Sequence, residues 1–336
     1  MPLDTKILPE LARGKEARHD SVLVDEVLAA LEIQPSDTLV DATIGGAGHF
    51  AALVAALGEG GVIVGIDADS AAVERGRRAY ALDRRPERPV AHLVNDNFRN
   101  LARILERLGI APVDKILFDL GWSGYQIAAP RGFSFRSDEP LLMTYREGGL
   151  PGQGETAADI VNSSSEAALA DIIFNYGEER FARSIARSIV EARSRERILT
   201  TGALVAAIIA GTPSWYRARK IHPATKTFQA LRIAVNDEIG SLREGLAAAL
   251  KVLAPDGRLA VISFHSIEDR VVKGVLRDAV QAGLGSMVSK KPVVPSRAEI
   301  LANRRARSAK LRVFKRSATI PHAESAGPAS LMFSYV

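Results

Sequence analysis

Three carboxylates in the first half of the chain each close a short apolar run: Asp41 after Leu39-Val40, Asp67 after Val62–Ile66, and Asp119 after Lys115–Phe118. Between the first two lies Gly45-Gly46-Ala47-Gly48-His49, with three glycines in four residues, followed by an alanine-rich stretch through Leu57. A glycine loop opening a helix lets backbone N–H groups approach a ligand closely. Gly46-x-Gly48-x-x-Ala51 matches the dinucleotide fingerprint G-x-G-x-x-A, with Asp67 about 20 residues on, where a ribose partner would stand. Two features point away from NAD. Asp41 precedes the glycines, where it would repel a pyrophosphate. From Thr38 to Glu74 there is no Lys or Arg, against five acidic residues. An acidic, cation-free pocket suits a positively charged ligand without phosphate, and S-adenosylmethionine, with its sulfonium and ammonium groups, is one. Helix N-termini bind pyrophosphate without help, so an NAD-dependent oxidoreductase stays open, as does an α/β core with a glycine turn and no cofactor.

The elements that must position these residues alternate along the chain. A helix runs to Leu31, and Pro35-Ser36-Asp37 turns into the first strand at Leu39-Val40. Strands follow at Val62–Ile66, Val90–Val94 and Lys115–Phe118, each with a helix or loop after it and a polar residue at its end. That rhythm predicts a Rossmann-like, doubly wound parallel sheet with its ligands at the carboxyl ends of the strands. After Asp119 the rhythm breaks into helices: a capping box Ser163-x-x-Glu166 before Ala167–Tyr176, then Phe181, Ile185 and Ile189 at helical spacing, then Thr201–Ala210 stopped by Gly211 and Pro213. A long amphipathic helix Thr225–Leu253, the turn Pro255-Asp256-Gly257, a strand Arg258–Phe264, a helix Ile267–Val280 and a last strand Lys310–Arg316 resume the sheet. The expected organisation is a sheet domain of residues 1–133 and 214–316, a helical insert of residues 134–213, and a disordered tail at 317–336.

Composition narrows the function. The 336 residues, 47% hydrophobic and 25% charged, suit a globular protein with a full core. The absence of cysteine excludes disulfides, Cys-ligated zinc, iron–sulfur clusters and a thiol nucleophile. No His/Asp/Glu spacing suggests a metal. No apolar run approaches the ~18 residues of a membrane span, and the N-terminus lacks a signal-peptide pattern, so a cytoplasmic protein with no membrane partner is expected. Residues 1–160 hold 17 basic and 24 acidic groups; residues 161–336 hold 27 and 15. That asymmetry points to a polyanion bound by the second half, with a solvated Arg-rich surface as the alternative.

Longer motifs recur in order: His19-Asp20-Ser21-Val22-Leu23, Asp41-Ala42-Thr43-x-Gly45-Gly46-x-Gly48-His49, Phe118-Asp119-Leu120-Gly121, Arg131-Gly132-Phe133-Ser134-Phe135-Arg136 and Tyr176-Gly177-Glu178-Glu179-Arg180. The stretch from His222-Pro223-Ala224-Thr225 to Arg232-Ile233-Ala234-Val235-Asn236 follows, then Val261–Ser266 and Ala306–Arg312. Over residues 19–316 the chain resembles the RsmH (MraW) family of bacterial methyltransferases. The resemblance implies N4-methylation of a cytidine in the decoding centre of 16S ribosomal RNA of the small subunit, with S-adenosylmethionine as cofactor. It places cofactor contacts at Ala47, Gly48, His49, Asp67, Phe98, Asp119 and Gln126. The chain departs from the family at Trp122-Ser123-Gly124-Tyr125, where Val-Ser-Ser-Pro is usual, and in a short connection after Arg277.

An exocyclic amine is a poor nucleophile because its lone pair is conjugated into the ring. An acceptor for its N–H groups lowers that conjugation and holds the nitrogen in line. Asp119 is the candidate catalytic residue for that task, and Trp122, at the spacing of the aromatic in Asp-Pro-Pro-aromatic motifs, is a candidate to stack on an extruded base or to serve as a lid. His222 and His265 are candidates to meet RNA or to act as structural hydrogen-bonders. Arg232 and the run Arg304, Arg305, Arg307 complete the expected substrate contacts. A non-catalytic RNA-binding assembly factor with the same fold is the remaining alternative.

Overall fold

Asp41, Asp67 and Asp119 end three strands that lie side by side in the computed structural model, which describes residues 21–121, 130–145 and 156–319. The strands are β1 (Thr38–Asp41), β2 (Val62–Asp67), β3 (Val90–Asn95), β4 (Val113–Asp119), β5 (Leu253–Ser263), β6 (Gly285–Met287) and β7 (Lys310–Arg316). They form one sheet in the order β3-β2-β1-β4-β5-β7-β6. The first five are mutually parallel, and β7 runs antiparallel to both β5 and β6. The order reverses between β1 and β4, and such a switch point opens a crevice at the carboxyl ends of the strands. In register, Asp41 lies opposite Gly65 and Leu117, Asp67 opposite Asn95, and Asp119 opposite Ile262.

Both sheet faces are covered because the strands are apolar on both sides. Leu39, Ile63, Leu117 and Ile262 point into one core and Val40, Val64, Phe118 and Val261 into the other, the period-2 alternation of a strand. The first core is closed by α1 (Val24–Leu31), α2 (Gly48–Ala56) and α3 (Ser70–Leu82), through residues such as Val27, Leu31, Phe50, Leu53 and Val73. The second is closed by α4 (Leu101–Leu108), α11 (Glu238–Val252) and α12 (Ser266–Gln281), through Leu101, Ile104, Leu246 and Leu276. Each such fully buried side chain contributes roughly 1.5–3 kcal/mol of transfer free energy.

A third core gathers α5 (Ala157–Ser163), α6 (Glu166–Gly177), α7 (Ala182–Arg193) and α8 (Thr201–Ala210), with Phe133 entering from before them. The short α9 (Ser214–Arg217) is followed by α10 (Ala224–Asn236), whose Ala224, Phe228 and Leu231 join the same core. A last helix, α13 (Arg297–Ala302), precedes β7.

Three expectations need correction. Pro255-Asp256-Gly257, expected as a turn before a strand Arg258–Phe264, lies within β5, which starts at Leu253 and shifts register there. The helix expected over Thr225–Leu253 is two helices, because Asp237 adopts a left-handed φ of 45° that stops α10 and starts α11. The capping box expected at Ser163/Glu166 is not formed; Ser165 caps α6 by accepting from the Ala168 N–H, and the box sits one helix earlier at Thr156/Asp159. Side-chain spacing is the same in both places, and only the backbone decides which residue leaves the helical region first. The tail expected after Ser317 falls mostly outside the described residues, as do Trp122 and Gln126.

Candidate active site

The crevice above the switch point is a cavity of about 410 Å³. One side is lined by Val22, Thr43, Gly45, Asp67, Phe98 and Asp119, the other by Phe133, Tyr145, Arg232, Glu238, His265 and Glu268. Its volume falls in the range of small-ligand sites.

The glycine loop is built around Asp67. Its Oδ2 accepts the Gly45 N–H at 2.8 Å and its Oδ1 the Asp69 N–H at 2.9 Å, so one carboxylate ties the loops after β1 and β2 together. Each oxygen keeps a second lone pair for a ligand. Burial pushes the Asp67 carboxyl up to about 6, against the pull of those two N–H donors. Asp69 caps α3 and lies within 3.3 Å of Arg131 Nη2, while Arg75 Nε donates to the Gly45 carbonyl at 2.9 Å. The cation-free sequence stretch therefore acquires two guanidinium neighbours in space. Both face Asp69 and the loop's carbonyl side, so the acidic character of the cavity wall persists.

Ala47, Gly48 and His49 are not among the residues that line this cavity. Ala47 takes a left-handed φ of 65°, and a Cβ on Gly48 would run into the Ser21 side chain, so the loop needs a small residue and a glycine there. The next residue, His49, is buried. Its Nε2 meets the Val22 carbonyl at 3.0 Å and its Nδ1 meets Asp119 Oδ2 at 3.1 Å. Asp119 is further fixed by its own N–H, which donates to Thr43 Oγ1 at 2.7 Å, while Oδ1 is buried without a hydrogen-bond partner among the described residues. Phe98 stands edge-on to Phe118 at 5.4 Å, and Gly245 lets it pack there, since a Cβ would come within 2.7 Å of the Phe98 ring.

The far wall is a buried charge network. Arg232 Nη2 donates to Glu238 Oε2 at 2.7 Å, and the Tyr145 hydroxyl donates to Glu238 Oε1 at 2.8 Å. Burial, then Glu238, holds the Tyr145 hydroxyl well above its ordinary range, so it stays a donor. His265 caps α12 in a capping box with Glu268, and its Nε2 lies 3.0 Å from Glu268 Oε1. Burial works to raise the Glu268 carboxyl, but the hydrogen bond and attraction of His265, with Arg232 beyond, leave it below its ordinary value. Ligand atoms of Glu238, His265 and Glu268 come within 4.8 Å of one another, a grouping that no sequence spacing announced. A guanidinium already supplies the positive charge against Glu238.

The remaining expected contacts divide. His222 stacks on Phe135 at 4.7 Å just outside the cavity wall, and its Nδ1 accepts the Ala224 N–H. Arg304, Arg305 and Arg307 form an exposed 3-10 turn, of which Arg305 reaches the cavity. The rest of that basic run is engaged internally: Lys310 and Arg312 with Asp269, Lys315 with Asp256, and Arg316 with the Leu250 carbonyl. Tyr145, Glu238 and Glu268 were missed in the sequence, although His265-x-x-Glu268 carries the spacing of a capping box.

This strand-end constellation lies within residues 16–317, which match the MraW methylase family along nearly the whole chain. The chain belongs to that family. The chain is 47% identical over 305 residues to the ribosomal RNA small subunit methyltransferase H of Deinococcus radiodurans, covering 89% of this chain and 90% of that one. It is 42% identical to the protein of the same name from Brevibacillus brevis, covering 88% and 96%. The Syntrophotalea carbinolica protein of that name is 44% identical, covering 89% and 98%. Family membership makes the protein a methyltransferase and removes the dehydrogenase reading left open by the glycine fingerprint.

Proposed function

We propose that the protein methylates the exocyclic N4 of a cytidine in the decoding centre of 16S ribosomal RNA, acting in the cytoplasm on the small ribosomal subunit. The observation that carries this reading is Asp119, a residue that lines the cavity: its carboxylate is pinned by one oxygen and by its own N–H, and the other oxygen is buried and unpartnered among the described residues. Relatives 42–47% identical are named as small-subunit ribosomal RNA methyltransferases, which supports the substrate class.

The cavity fits S-adenosylmethionine. Asp67 has spare acceptor capacity on both oxygens for neighbouring ribose hydroxyls, Phe98 presents a ring for the adenine, and the Asp119 oxygen left without a partner favours positive charge nearby. Ala47, Gly48 and His49 of the glycine loop, with Gln126, complete the cofactor contacts. When bound, the cofactor supplies an electrophilic methyl group. Asp119 accepts an amine N–H, which localises the nitrogen lone pair and holds the base in line. Trp122 stacks on the extruded base, and Arg232, His265 and His222 line its approach. The helical unit of residues 134–213 and the exposed Arg304, Arg305 and Arg307 hold phosphates, which fixes register without reading sequence.

With no cysteine, the chain cannot form the thiolate adduct that carbon-5 methylation of a pyrimidine requires. Purified protein and small subunits from cells lacking it should yield N4-methylcytidine on nuclease digestion and mass spectrometry. Recovery of 5-methylcytidine, or of no methylated cytidine, would reject the proposal.

A further inference from the structure

We propose that His49 is a positioning residue that acts through Asp119: as an imidazolium it keeps Asp119 a carboxylate in a dry site, so that Oδ1 receives the amine hydrogen. The inference rests on the reading of Asp119 given above, and it begins with hydrogen positions. The Val22 carbonyl can only accept, so His49 Nε2, 3.0 Å away, carries a hydrogen. A neutral imidazole would then turn a bare Nδ1 lone pair toward Asp119 Oδ2 at 3.1 Å. That contact must therefore contain a proton, either on His49 as an imidazolium facing a carboxylate or on Asp119 as an acid facing a neutral ring.

The surroundings decide which. Burial disfavours the imidazolium, and so does the N-terminal end of α2, where His49 is the second residue. Two carboxyl groups oppose them: Asp119 in direct contact, and the fully buried Asp41 at the end of the neighbouring strand. Their attraction outweighs burial and raises His49 above its ordinary value. Asp41 Oδ1 accepts the Thr43 N–H at 3.1 Å, and its carboxyl, which burial raises to about 7, adds to the attraction of Asp119 only in the fraction that is ionised. Asp67 faces Asp41 in turn from β2.

The consequence is chemical. An Asp119 carboxylic acid would point an O–H toward the amine, or turn it away, and would lose the acceptor the reaction needs. Beside an imidazolium, Oδ2 is satisfied and Oδ1 stays a bare acceptor. Once the amine nitrogen has taken the methyl it carries one proton in excess. That N–H bond breaks with its electrons staying on nitrogen, and the proton bonds to Asp119 Oδ1, to exchange with solvent as product leaves.

Two measurements test this. Nitrogen-15 spectra of the cofactor-free protein, with the signal of His49 identified among the six histidines by its loss in His49→Asn, should show both ring nitrogens protonated at pH 7. In Asp119→Asn the ring should become neutral. A neutral His49 in the unmodified protein would overturn the proposal without reference to any substrate. In single-turnover methylation of small subunits, His49→Asn keeps a donor for Asp119 but loses the charge. The acid limb of its pH profile should move to higher pH, and its rate at pH 7 should fall at least ~10-fold. An unmoved acid limb with a uniform loss of rate would show that His49 only supports the loop. If the unmodified protein methylates nothing, the functional reading fails, while the nitrogen-15 result still stands or falls alone.

Discussion

The Gly45 N–H donates to Asp67 Oδ2 at 2.8 Å, so the residue that ends β2 holds the loop that follows β1. One side chain thereby does two things: it shapes the glycine loop and presents acceptors to the cavity. Asp67→Ala should weaken S-adenosylmethionine binding by ~1.5–3 kcal/mol, the range for hydrogen bonds to a charged group. Calorimetric titration reads this directly. Unchanged affinity would place the ribose elsewhere.

Asp41 makes stability depend on pH. Burial raises its carboxyl from 3.8 to about 7 in the folded state, so the folded protein holds a proton that the unfolded chain releases near 3.8. Its contribution is fully present below about 3.8 and is lost as pH rises through about 7. The amide in Asp41→Asn still accepts the Thr43 N–H but does not ionise. Between pH 4 and 7 the stability of the variant relative to the unmodified protein should rise by on the order of 2–4 kcal/mol. Urea melts at a series of pH values measure that difference, and a flat difference would mean that Asp41 titrates normally.

Arg232 and Glu238 form a buried pair, with Arg232 almost fully enclosed. Removing one partner strands the other charge, so Arg232→Ala should cost roughly 3–5 kcal/mol. Arg232→Met with Glu238→Leu should cost less, since no charge is left behind. Chemical denaturation of the two variants gives the answer, and a cost below ~1 kcal/mol for Arg232→Ala would show that water reaches the pair.

On the proposed reading, the exposed turn Arg304–Ser308 meets phosphate. Replacing Arg304, Arg305 and Arg307 by Ala should raise the dissociation constant for RNA and flatten the log–log salt dependence by about 0.7 per lost single-strand contact. Cofactor affinity should not change. A slope equal to that of the unmodified protein would put the RNA on another surface.

Periodicity and punctuation alone determined the sheet's parallel half, since β1 to β4 were legible as short apolar runs ending in polar residues, and Thr201–Ala210 and Lys310–Arg316 emerged at the expected bounds. The same local signals placed Asp41, Asp67 and Asp119 at strand ends, because a strand's last residue is set by where its apolar run stops. What joins those ends was decided only by the tertiary structure. The Asp237 break, the inward turn of His49 onto Asp119, the capture of Arg131 by Asp69, and the network of Tyr145, Arg232, Glu238 and Glu268 all pair groups from different elements. The sequence marks Lys310, Arg312 and Lys315 as cations with the same letters as Arg304 and Arg307. Only packing shows that the first three already face carboxylates of α12 and β5, because a charge's partner depends on distance in space and not along the chain.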